Sequence, residues 1–200
     1  QISMLCARNQ SLAKMLKIST EFSTQLLKKP KTDFHKSIEA YSEGLNRPPN
    51  DLVFSLLLPE IVASFNKWLP DLMGLIPGCS SLFYKSPQDQ RVYHGRILDY
   101  ALSGPFENSE RSILYEFNNR PKIFSYSTTG MPFPSLSAMN EYGLSIAVHY
   151  KHGQFFNLEG DSIFEISNKV INECTNVREA IKLIKHQKSI SYWGIYLVDK

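Results

Sequence analysis

Cysteine is scarce in this chain. Cys6, Cys79 and Cys174 are the whole complement. An odd set of three argues against a disulfide framework and leaves room for one functional thiol. Neither a C-x-x-C nor an H-E-x-x-H spacing occurs, so the familiar zinc patterns are missing and no cofactor or metal is expected. No apolar run reaches the roughly 18 residues a membrane-spanning helix requires. The stretch Leu52 to Ala63 is apolar but short, and it carries Pro59 and Glu60. Long blocks of one charge are also lacking. With 22 Lys and Arg against 19 Asp and Glu the net charge is only +3. The densest basic spot, Lys28-Lys29-Pro30-Lys31, reads as a solvated loop, and nothing points to nucleic acid. No internal repeat or low-complexity segment is present. What remains is ordinary globular composition, enough for a single core domain with a helical annex.

The first 78 residues read as helical. Leu12, Met15, Leu16, Ile18, Phe22 and Leu26 recur at near-helical spacing, and Pro30 ends that segment. A second helix is predicted from Asp33 to Gly44. A third is predicted to be capped by Asn50-Asp51 and to run through Trp68, with Pro59 starting a new turn or kinking it. The pattern then changes. Residues 79–85 and 90–100 read as strands around the turn Ser86-Pro87-Gln88-Asp89. Residues 111–118 and 122–128 read as a second pair linked by Asn118-Asn119. Asn140-Glu141-Tyr142-Gly143 reads as a turn into the strand 144–150. Helices follow over 162–174 and 176–185, the latter with Asn176 as cap and Glu179 as its capping-box partner. A last strand covers 192–198. Strands, then helices, then a strand indicate an α+β layered fold.

The first hairpin gathers chemistry. If its turn is centred between Pro87 and Gln88, Cys79 faces Arg96 and Asp99 lies just past the pairing. A neighbouring guanidinium stabilises a thiolate, and a carboxylate can hold an amine by a charge-assisted hydrogen bond. No histidine is needed if the base is the α-amine of Cys79 itself, freed by cutting the bond after Gly78. On spacing alone, however, the trio reads more simply as a buried strand cysteine beside an Arg–Asp surface pair.

The wording of the motif shifts that balance. Gly78-Cys79-Ser80-Ser81 followed by Val92-Tyr93-His94-Gly95-Arg96-Ile97-Leu98-Asp99-Tyr100 resembles the start of the catalytic subunit in N-terminal-nucleophile (Ntn) cysteine hydrolases. That group includes acid ceramidase, N-acylethanolamine acid amidase, isopenicillin-N acyltransferase and, more distantly, the choloylglycine hydrolases. Met139-Asn140-Glu141-Tyr142-Gly143-Leu144-Ser145 resembles the group's Met-Asn-Glu-Lys-Gly-Leu block, and the segments Val170 to Ile184 and Trp193 to Lys200 follow in matching order. Tyr41-Ser42-Glu43-Gly44 and the helix from Asp51 resemble its pro-region. Ser80 replaces the usual Thr, and Ile97 replaces a common Asn.

The resemblance implies a four-layer αββα sandwich, two antiparallel sheets between helical layers. It implies residues 1–78 as a helical pro-region that becomes a small α-subunit, and 79–200 as the N-terminal part of the catalytic subunit. An Asn of the oxyanion hole and later strands would follow beyond Lys200. Cys79 is then nucleophile and autocleavage site with Gly78, and Arg96 and Asp99 flank it. The implied reaction is hydrolysis of linear amide bonds in N-acyl substrates. An acyltransferase using the same acyl-enzyme, or an uncleaved non-enzymatic relative serving as a binding module, are the alternatives. His149, Tyr142 and Phe133 are candidate substrate-binding residues, and Pro134, Tyr126, Phe155 and Phe156 are further candidates for an acyl pocket. His94 reads as a structural strand residue and Cys174 as helix packing. Expected partners are a small, lipid-like N-acyl amide and the chain's own pro-region, with peripheral membrane contact through Leu52 to Ala63 and the helix before Cys79. Gln1 in place of Met fits a processed leader, a trimmed chain or a fragment, so no compartment is assigned.

Overall fold

The computed structural model describes residues 10–28, 32–65, 78–99, 109–128, 131–151, 157 and 159–200. Cys6, Trp68, Tyr100, Phe155 and Phe156 lie outside the described residues. Three helices come first: α1 (Gln10–Lys28), α2 (Asp33–Gly44) and α3 (Pro49–Phe65). The last begins at Pro49, ahead of the expected Asn50-Asp51 cap, because proline at the first helical position lacks only an N–H that would go unpaired there. Pro59 is inside α3.

Strands β1 (Gly78–Lys85) and β2 (Val92–Asp99) form a two-stranded antiparallel sheet. Strands β3 (Glu110–Tyr115), β4 (Ile123–Thr128), β5 (Ser137–Asn140), β6 (Ser145–Tyr150) and β7 (Trp193–Val198) form a second sheet in that spatial order. All its neighbours are antiparallel. Between β6 and β7 run helices α4 (Ile163–Glu173) and α5 (Val177–Lys185).

Strand alternation sorts the side chains into layers. Ile123, Ala138, Ile146 and Val148 join one buried core with Phe34, Ile38, Leu57, Ile163, Val170 and Ile171 from the helices. Val53, Leu56 and Leu57 of the apolar stretch that could have met lipid are taken up by this core. Among the described residues, no helix is long and apolar enough to cross a membrane. The opposite face of the large sheet carries β1, which packs against β6. The described layers are therefore helix, five-stranded sheet and hairpin.

The register of the hairpin corrects the expectation. Cys79 pairs with Leu98, Ser81 with Arg96, and Gly78 with Asp99. The turn is centred between Gln88 and Asp89 because Gln90 adopts a left-handed backbone with φ of 58°. The loop closes through Ser86 N–H donating to the Arg91 carbonyl at 2.9 Å. Because the partner shifts by two residues, every side chain stays on its expected face.

Two blocks hold the layers together. Asn140 is buried and donates through Nδ2 to the carbonyls of Ile171 and Cys174 at 3.1 and 2.8 Å, at the C-terminal end of α4. Its Oδ1 accepts from Leu144 N–H at 3.1 Å. Gly143 completes that turn with φ of +90°, a conformation an L side chain resists. The Met-Asn-Glu-Tyr-Gly-Leu block is thus a clamp between the turn and a helix end. Asn140→Ala should cost about 2–4 kcal/mol, since it strands three buried groups, two at the helix end and one in the turn. Urea unfolding of the variant checks this.

The cap of α5 differs from expectation in one detail. Asn176 Oδ1 accepts from Glu179 N–H at 3.0 Å, but the Glu179 carboxylate returns to Thr175 N–H at 2.8 Å rather than to Asn176. Cys174 is buried at the end of α4, where burial pushes its thiol up to about 11, which keeps it inert.

Candidate active site

One face of the hairpin looks inward onto the large sheet. It presents Cys79, Ser81, His94, Arg96 and Leu98, all half-buried, because these positions alternate along two paired strands. The sheet opposite presents Ser137, Ser145, Ala147, His149 and Tyr196, again at alternate positions of paired strands. Polar residues concentrated where two sheets meet are unusual, since that interface is normally apolar.

Arg96 organises the end nearest Cys79. Its Nη1 donates to the Leu136 carbonyl and to Ser137 Oγ, and its Nη2 to the Val148 carbonyl. The same Nη2 lies 3.9 Å from Cys79 Sγ. The planar guanidinium fork spans β5 and β6 and brings a fixed positive charge to the thiol, which lysine could not do with the same geometry. Gly78, just before Cys79, is exposed.

Beside Arg96 runs a chain of hydrogen bonds. His149 Nε2 is 2.7 Å from Ser81 Oγ, and His94 Nε2 is 3.1 Å from the same oxygen. His94 Nδ1 reaches Ser145 Oγ at 2.8 Å. Phe83 stacks on His94 with centroids 4.5 Å apart, and Tyr196 lies against His149 at 4.1 Å. Burial pushes His149 down to about 4, helped by the positive charge of Arg96 and Lys151 and by His94. Burial, then Arg96, also lowers His94. Both imidazoles are neutral near pH 7.

A cavity of about 650 Å³ opens between the sheets from His94 and Arg96 toward the hairpin turn. Phe124, Tyr126, Met139, Ile146 and Val198 supply its apolar wall. Tyr126 is there as expected from the sequence. Phe133 is instead buried in the core against Phe34, with centroids 4.7 Å apart, and Tyr142 is exposed on the turn. His149 borders the Cys79 end through Ser81. The backbone of Asp99 pairs with Gly78 at the end of the hairpin, and its side chain lies outside the described residues. Among the described residues no cluster of His, Cys, Asp or Glu could hold a metal.

A family model for linear amide C–N hydrolases of the choloylglycine hydrolase family matches residues 79–195, more than half of the chain, and begins at Cys79. The chain belongs to that family. No curated protein sequence matches the chain significantly. The choloylglycine hydrolase family has the Ntn-hydrolase fold, and the paired antiparallel sheets with flanking helices agree with it. Its members hydrolyse linear amides, so the chain is a hydrolase of linear amide C–N bonds.

The residues that serve Arg96 were not legible in advance. Ser137 and the carbonyls of Leu136 and Val148 lie 40 to 52 positions from it. A signal did exist: Ser81, Ser137 and Ser145 occupy strand positions that face inward, where a purely structural sandwich would place apolar side chains.

Proposed function

We propose that this chain is a cysteine amidase of the Ntn type that activates itself by cutting the Gly78–Cys79 bond. Residues 1–78 then form the small subunit and 79–200 begin the catalytic one. The single observation that supports this most is the 3.9 Å approach of the Arg96 guanidinium to Cys79 Sγ, at the exposed junction after Gly78.

In maturation, the Cys79 thiolate attacks the Gly78 carbonyl, the amide nitrogen leaves as the new α-amine, and water hydrolyses the thioester. In turnover that amine takes the thiol proton as Cys79 attacks the substrate carbonyl. It returns the proton to the leaving amine, and water then releases the acid from the acyl-enzyme. In this reading Asp99, whose backbone pairs with Gly78, orients the freed amine. The cavity volume of about 650 Å³ fits a small-molecule site. Its wall of Phe124, Tyr126, Met139 and Val198 suits an apolar or aromatic acyl group.

The test uses the purified protein on N-acyl amides with short, medium and long acyl chains, beside Cys79→Ala. Hydrolysis favouring apolar acyl groups, with no turnover by Cys79→Ala, is expected. Equal rates for wild type and Cys79→Ala would refute the assignment of the nucleophile.

A further inference from the structure

We propose that Ser81, held between His149 and His94, is a positioning residue that keeps Cys79 against Arg96. The proposal rests on Cys79 being the nucleophile, but its test does not require amide turnover.

The argument begins with β1. Cys79 and Ser81 are alternate residues on one strand face, so the tether on one fixes the other. Arg96 is paired directly with Ser81, and its guanidinium is held by β5 and β6. Strand β1 has only β2 as a sheet neighbour among the described residues. Its polar attachment across the sandwich runs through Ser81 Oγ to His149 Nε2 at 2.7 Å. A two-stranded ribbon is by itself marginally stable. Strand β2 is anchored separately through Arg96 and through His94 to Ser145, so the Ser81–His149 bond is what holds the β1 side, and with it Sγ, down toward the Arg96 fork.

The Ser81 hydroxyl has one hydrogen and two lone pairs, so it donates to one imidazole and accepts an N–H from the other, or accepts from both. Each of these arrangements keeps Oγ bonded to His149 Nε2. Further groups surround His149. Arg96 and His94 face it from β2, Ser81 from β1, Tyr196 from β7 and Lys151 from the end of β6. Lys151 Nζ donates to Tyr196 Oη at 3.0 Å, which fixes one of these cations beside the ring. With two cations near it and burial besides, His149 takes up a proton only near pH 4.

The experiment measures iodoacetamide alkylation of Cys79 against pH, with each cysteine resolved by peptide mass. Ser81→Ala should slow alkylation about tenfold at pH 7, because the thiol is no longer held against the guanidinium. His149→Phe keeps an aromatic ring against Tyr196 but removes the nitrogens, and it should slow alkylation similarly. That variant carries the test if Ser81→Ala does not fold. Ser81→Thr, which keeps the hydroxyl, should restore most of the rate. An unchanged alkylation profile in both Ser81→Ala and His149→Phe overturns the proposal, as does a Thr variant no faster than Ala. A wild-type Cys79 that reacts no faster than a cysteine in a short free peptide would instead sink the nucleophile assignment beneath it.

Discussion

Arg96→Met is expected to destabilise the protein by about 3–5 kcal/mol, because two carbonyls and a hydroxyl lose the charged donors of the guanidinium, although Leu136 keeps its bond from Val148 N–H. Leu136 and Val148 lie on the segment before β5 and on β6, so the loss loosens both from the hairpin. Cys79 also loses the positive charge at 3.9 Å. Its alkylation at neutral pH should fall about tenfold or more. Arg96→Lys separates the two effects. An ammonium keeps the charge but lacks the planar fork, so it cannot reach both carbonyls and the thiol together. It should recover part of the alkylation rate and little of the stability. Urea unfolding and alkylation kinetics on the three proteins measure this. Wild-type midpoints and rates in Arg96→Met would show that the guanidinium neither braces the sandwich nor acts on the thiol.

The second large effect concerns Glu60. This carboxyl on α3 is fully buried and accepts from Ser162 Oγ at 2.6 Å, Ile163 N–H at 3.0 Å and Ser191 Oγ at 2.9 Å. It caps the N-terminus of α4 and ties α3 to the segment that enters β7. Burial raises it to about 7, and the hydrogen bonds only partly oppose that. The folded protein therefore binds a proton that the unfolded chain releases near pH 4.5. Stability from this group falls as pH rises from about 4.5 to 7 and is flat above, a swing of about 3 kcal/mol. Acidic conditions tighten the junction. Glu60→Gln keeps the shape and removes the titration, so the difference in stability between wild type and variant should change by that amount across the window. Denaturation midpoints at a series of pH values test it, and a difference that stays constant from pH 4.5 to 8 would contradict it.

The first hairpin was legible because its chemistry is local. Cys79, Arg96 and Asp99 belong to adjacent strands joined by one turn, so even a two-residue error in register left Cys79 and Arg96 on one face. The left-handed Gln90 that moved the turn has no strong signature, unlike Asn119, whose φ of 62° suits asparagine. Strand β5 escaped notice because Ser137–Asn140 is only four residues long and leads straight into the turn before β6, while its other partner, β4, lies further back in the chain. Distance in sequence hid the acceptors of Arg96 and the role of Glu60, whose bond to Ser191 spans 131 positions. His149 was legible as a polar residue on a buried strand. Its link to Ser81 was not, since it depends on how two sheets stack. Phe133 shows the converse: an aromatic flanked by turn residues reads as pocket or core alike, and packing against Phe34 put it in the core.

The central claim is that Cys79 is a self-activating nucleophile. Intact mass of the purified protein beside Cys79→Ala, at neutral and mildly acidic pH, tests it most directly. The account predicts that wild type separates into two chains at the Gly78–Cys79 bond while Cys79→Ala stays whole. A wild type that remains one chain under every condition, or a Cys79→Ala that splits at the same bond, would contradict it.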